Sequence, residues 1–193
     1  MQKLSKGFYL GSIIGSWVMT GLLLIIGIVI LFAAGVTAED MQEANWGLIG
    51  GGVIFILLAM AVGIYGTVVG CMLLYKAWKA IQDGQPRTTP GKAVGFLFIP
   101  FFNLYWIFMA YWGFAQDFNK YVNAKSLAVP KLSEGLFLTY PILILCSAVP
   151  YLGYLAGLAE FAIAIMVYNF MVDGVNNLVG ASAPAAPAAP AAV

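Results

Sequence analysis

Few residues in this chain have the type and surroundings for chemistry, and Glu160 comes first. It interrupts an otherwise uncharged stretch between Glu134 and Asp173. An ionisable group inside such a stretch is a functional candidate by default, because burying its charge is costly. Ala156, Gly157 and Ala164 share its helical face at i−4, i−3 and i+4, so the carboxyl is expected to face a close helix neighbour. No Lys or Arg lies in the apolar stretches, and the chain has no histidine. Glu160 is therefore expected to be a neutral acid, hydrogen-bonded to a hydroxyl such as Ser12, Ser16, Thr20, Tyr65, Thr67 or Thr139. The rival chemistry is a proton or cation path lined by Glu160 and Asn103.

The second candidate is the loop Gln82 to Lys92, QDGQPRTTPGK. A phosphate-loop reading fails there, because Gly84 stands too far from Gly91-Lys92 and Ala93 replaces the hydroxyl residue that would ligate magnesium. What remains is a basic turn in which Arg87 and Lys92 can meet anionic headgroups or a partner. Cys71 and Cys146 lie in apolar runs, read as small hydrophobes, and make neither a disulfide framework nor a metal-ligand spacing. No nucleophile-base pair, metal cluster or cofactor fingerprint can be assembled, so neither an enzyme nor a cofactor or metal is expected. A net charge of +1 without a Lys/Arg cluster excludes a nucleic-acid binder.

The elements that must hold these groups are apolar. Of 193 residues, 62% are hydrophobic and 9% charged, the composition of an all-α integral membrane protein. A bilayer core of about 30 Å needs roughly 20 helical residues. Gly7 to Ala38 and Ala44 to Tyr75 satisfy that on either side of Glu39, Asp40 and Glu43. The first run is too long for a signal-peptide core and reads as a retained span. Residues 134–173 are long enough for two crossings, with Val149-Pro150-Tyr151-Leu152-Gly153 as the break.

The run Ala93 to Gln116 is the ambiguous one. If it does not cross, Lys3, Lys6, Lys76, Lys79, Arg87, Lys92, Lys120, Lys125 and Lys131 all lie on the cytoplasmic side. If it crosses, the last three move outside and the partition falls to six against three. Its rings, from Phe101 to Tyr121, suit the headgroup level, and Pro100 and Asn103 would bend a shallow hairpin. The expected domain is a single transmembrane unit over residues 1–180. Its spans are about 8–36, 47–76, 133–150 and 152–174, with 93–120 re-entrant or interfacial; five spans is the alternative. Residues 181–193 form a disordered Ala/Pro tail. Both termini are cytoplasmic, and Trp46 and Trp78 are interface anchors.

Small residues let membrane helices approach. Gly7, Gly11 and Gly15 recur every fourth residue, and Gly66 with Gly70 and Gly153 with Gly157 repeat the spacing. Bulky replacements at Gly11 or Gly15 are thus expected to do more damage than one at Gly27.

The stretch RTTPGKAVGFLFIPFFNLYWIFMAYWGFAQDFNKY, Arg87 to Tyr121, resembles uncharacterised bacterial multi-pass membrane proteins grouped as domains of unknown function. The matching positions are Pro90, Gly91, Gly95, Pro100 and Asn103, covering about a fifth of the chain. The resemblance implies a bacterial cytoplasmic membrane and transfers no activity. The expected role is a non-enzymatic scaffold or accessory subunit, packed against the lipid bilayer, anionic lipids, other membrane-protein subunits or copies of itself. The alternative is a small transporter or channel.

Overall fold

A computed structural model describes residues 2–34 and 45–181, and among these every regular element is helical. Glu39, Asp40, Glu43 and the Ala/Pro tail beyond Ala181 lie outside the described residues. The helices are α1 (Lys6–Ala33), α2 (Trp46–Ala80), α3 (Pro90–Gly95), α4 (Phe102–Ala110), α5 (Trp112–Ala124), α6 (Glu134–Ser147) and α7 (Leu152–Ala181). Three are long and apolar enough to cross a bilayer: Lys6–Ala33, Trp46–Ala80 and Leu155–Ala181. Apolar α6 has only 14 residues, about 21 Å of helix, shorter than the run 133–150 read from the sequence. The break before α7 falls where Pro150 placed it, with Tyr151 turning the chain at φ 65°.

The contacts divide the chain into two units, Lys6–Leu73 and Leu74–Val193 together with Met1–Ser5. In the first unit, α1 and the outer part of α2 run antiparallel. Gly27 and Gly52 are buried back to back: a Cβ on Gly27 would meet the Gly52 carbonyl at 3.1 Å, and one on Gly52 the Gly27 carbonyl at 3.0 Å. Gly66 lies directly against the Ser16 side chain. The Thr20 hydroxyl donates to the Ala59 carbonyl (3.4 Å) and the Tyr65 hydroxyl to Ser12 (3.0 Å). Gly7, Gly11 and Gly15 instead are exposed, with open space where a Cβ would stand. The regular stripe is therefore not where the helices of this unit approach; the contact follows the register of α1 on α2, which the spacing along one strand of sequence does not encode.

The second unit holds the aromatic residues. Thr89 caps α3 by accepting from the Lys92 amide (3.4 Å), and Pro90 occupies the first turn, where no N–H is needed. A short 3-10 turn, Phe96–Phe98, follows α3. The chain then reverses through Ile99, Pro100 and Phe101 and returns along α4. The returning limb packs on the first, with the Trp106 indole donating to the Ala93 carbonyl (3.1 Å) and the Phe96 ring 4.8 Å from Trp106. At the tip Phe101 is 87% exposed, and Phe98 and Ile99 are exposed beside it. Helix α5 leads back, with Asp117 meeting Arg87 and Lys125 meeting Asp83.

Trp78, expected at a membrane interface, is fully buried in this unit, donating to the Ala110 carbonyl (3.0 Å) with Phe114 against its ring. Its N–H finds a carbonyl freed where α4 gives way to α5, so headgroups are not needed to satisfy it. Trp46 is exposed.

Candidate functional site

Asp117 is buried on α5, with 6% of its side chain accessible. Arg87 donates to it three times, from Nε (3.0 Å) and Nη2 (2.8 Å) to Oδ1 and from its backbone N–H to Oδ2 (2.8 Å). Lys120 stands 3.9 Å from Oδ1. These groups line a cleft of about 430 Å³ with Ile81, Gly84 and Pro86. One helical turn of loop away, Gln82 donates to the Trp78 and Thr88 carbonyls (2.9 and 3.2 Å), and Gly84 packs against the Tyr121 ring. Lys125 binds Asp83 and lies over the Tyr121 ring. Its hydrogen bond holds the Asp83 carboxyl below the usual range, and Asp83 in turn raises the Lys125 ammonium. The basic loop is thus fastened to α5. Arg87 is engaged by Asp117, whereas Lys92 is exposed.

Two asparagines act in the same manner on main chain. Asn119 donates to the Leu132 carbonyl (2.9 Å) and accepts from the Leu132 N–H (2.8 Å), and its amide also reaches Glu134. Asn176 on α7 accepts from the Leu4 N–H (2.6 Å) and donates to the Leu4 carbonyl (3.0 Å). Each amide thereby satisfies both polar groups of a residue that has no helix to do so.

Between these clamps and the hairpin tip lies a buried hydroxyl cluster. Tyr168 of α7 bonds Tyr111 (3.2 Å) and Tyr140 of α6 (3.1 Å), with ring centroids 4.8 to 6.3 Å apart. Beside it is a cavity of about 220 Å³ walled by Leu97, Leu104, Ile107, Ile144 and Leu145, with Asn103, Tyr111 and Tyr140 as its polar members. The Asn103 backbone N–H bonds Ile99 (3.0 Å), while its side-chain amide has no partner among the described residues.

Glu160 is half-buried on α7, between the buried Ala156 and Ala164 and within electrostatic reach of Tyr140. The hydroxyls expected to meet it are occupied elsewhere. Ser16 donates to Ile13, Thr20 to Ala59, Thr67 to Gly63, Thr139 to Gly135 and Tyr65 to Ser12. Helical serines and threonines turn back onto carbonyls of their own helix or onto the helix beside them, which removes their donors from reach. Of the remaining glycines, Gly70 is buried in α2, Gly153 packs on the Ser147 carbonyl at the turn into α7, and Gly157 has open space. Among the described residues no three His, Cys, Asp or Glu side chains come together. Glu160→Gln is expected to preserve folding in detergent, since it keeps size and hydrogen bonding, whereas Glu160→Lys should disrupt it. Equal melting temperatures for both variants would show that this side chain faces water.

The geometry defines an all-helical chain with three helices long and apolar enough to span a bilayer and a second unit closed by polar clamps. The chain matches no protein-family model, no curated protein and no solved structure.

Proposed function

We propose that this chain is a non-enzymatic multi-pass membrane protein, a scaffold or accessory subunit. The observation that carries this reading is the use of its polar side chains. Asp117, Asn119 and Asn176, the groups best placed for chemistry, are bonded to an arginine and to main chain and hold the fold together. A carboxylate already accepting three hydrogen bonds has few acceptor positions left for a substrate, and an amide with both ends satisfied offers little to one. The apolar faces of α1 and α2 are exposed along their length, with Ile25, Phe32, Leu57 and Ile64 more than half accessible, which supports a lipid-embedded chain.

Residues 93–120 form a re-entrant hairpin in this reading. The Arg87–Asp117 and Asp83–Lys125 pairs fasten both ends of the segment to each other, which favours a chain that enters and leaves the same leaflet. Counting α6, whose 14 helical residues cross only with the apolar residues that flank them, alongside the three longer helices gives four spans, both termini in the cytoplasm and every Lys and Arg on that side. The resemblance of Arg87 to Tyr121 supports a bacterial inner membrane as the location. Single cysteines at Lys125 and Glu43, in a background with Cys71 and Cys146 replaced by alanine, test the arrangement. An impermeant thiol reagent is expected to label intact cells only at Glu43; labelling at Lys125 would establish a crossing hairpin. Copurification in mild detergent, with the bound proteins and lipids identified, tests the accessory role.

A further inference from the structure

We infer that the cavity between the hairpin and α6 is a binding site for the head of an uncharged, lipid-soluble carbonyl compound of the quinone class. The inference rests on the hairpin lying within a leaflet. The cavity, about 220 Å³, exceeds the roughly 150 Å³ that accommodates benzene in a protein core and is smaller than a whole drug-sized site. It fits one substituted ring, with any tail continuing into lipid past Leu104, which is half exposed at its edge. No charged residue lines it, which disfavours an ionic head because nothing would offset the loss of hydration. Five aliphatic side chains and the Tyr111 and Tyr140 rings supply an apolar, partly aromatic wall.

The Asn103 amide gives the site its specificity. Asn103 is half-buried in the cavity lining, its amide has no side-chain partner among the described residues, and it carries two donors and one acceptor. A ring carbonyl accepts from the NH₂ group, and the corresponding ring hydroxyl donates to the amide oxygen, so both the oxidised and the reduced head are accommodated. A pure hydrocarbon leaves the amide unsatisfied, and a site whose polar group is left unpaired discriminates against such a ligand.

The test measures binding of a one-isoprene ubiquinone and of p-xylene to the full-length protein in nanodiscs by equilibrium dialysis. The quinone is expected to bind in preference to p-xylene. Asn103→Leu is expected to weaken quinone binding about tenfold, the equivalent of one hydrogen bond to a neutral group, with p-xylene binding retained. Ile144→Trp, which fills the cavity from α6, is expected to abolish both and serves if Asn103→Leu fails to fold. Equal affinities for the two probes, an unchanged quinone affinity in Asn103→Leu, or no quinone binding by the wild type would each overturn the site. Thiol labelling at Lys125 reads the hairpin's topology independently, so a failed site is distinguishable from a failed membrane arrangement.

Discussion

Asp117→Asn is expected to lower the unfolding free energy by about 2–4 kcal/mol, the largest loss of any single polar substitution in this chain. The carboxylate is nearly inaccessible and accepts two bonds from the Arg87 guanidinium and one from its backbone. Asparagine keeps the shape, offers a neutral acceptor to the guanidinium, and presents an NH₂ group to a donor on one side. Arg87→Ala should cost less, because the guanidinium is 28% accessible and the backbone bond to Asp117 survives. Thermal unfolding in a mild detergent, extended to the Arg87→Ala/Asp117→Asn double variant, gives the coupling between them. Additive losses, within about 0.5 kcal/mol, would show that the pair does not lock the loop to α5.

The second large effect is expected at Gly27 and Gly52. A Cβ at Gly27 would stand 3.0 Å from Ile56 and 3.1 Å from the Gly52 carbonyl, and one at Gly52 would stand 2.8 Å from Leu31. Leucine at either position has to push α1 and α2 apart, which costs about 1–3 kcal/mol or more because a backbone carbonyl cannot rotate out of the way. Gly11→Leu and Gly15→Leu enter open space and gain helix propensity of roughly 0.5–0.8 kcal/mol over glycine. The ranking is therefore the reverse of the one that glycine spacing suggests. Equal destabilisation by Gly11→Leu and Gly27→Leu in the same detergent would show that α1 and α2 do not meet through the Gly27–Gly52 contact.

What the sequence makes legible here is length and interruption. Runs of 28 or more helical residues announce themselves in α1 and α2 by the absence of charge, and Pro150 marks the turn before α7 because a proline removes both a donor and space. Pairing across distance is not legible. Arg87 and Asp117 are 30 positions apart, and each alone reads as a solvated charge beside the bilayer. The one available signal was that Asp117 is the sole acid in an aromatic segment, Phe101 to Tyr121, where an unpaired carboxylate would be expensive. Asn119 and Asn176 gave less warning, since a polar residue near a helix end is ordinarily solvated. The position of Trp78 at the end of an apolar run suggests an interface, but the deciding fact is a carbonyl at Ala110 contributed by a different helix. The tyrosine cluster draws on three segments, and no periodicity within one of them encodes the other two.

The Asn176 clamp on Leu4 sets an order of events during synthesis. The two residues are separated by 172 positions, and at a ribosome speed of about 5–20 residues per second the second emerges roughly ten to thirty seconds after the first. Throughout that interval the Leu4 N–H and carbonyl lack the Asn176 amide that later bonds them both. Seating of the first residues is consequently a late act, possible only once α7 exists. A chain interrupted anywhere before Asn176 leaves the Leu4 backbone without the amide that satisfies both of its polar groups.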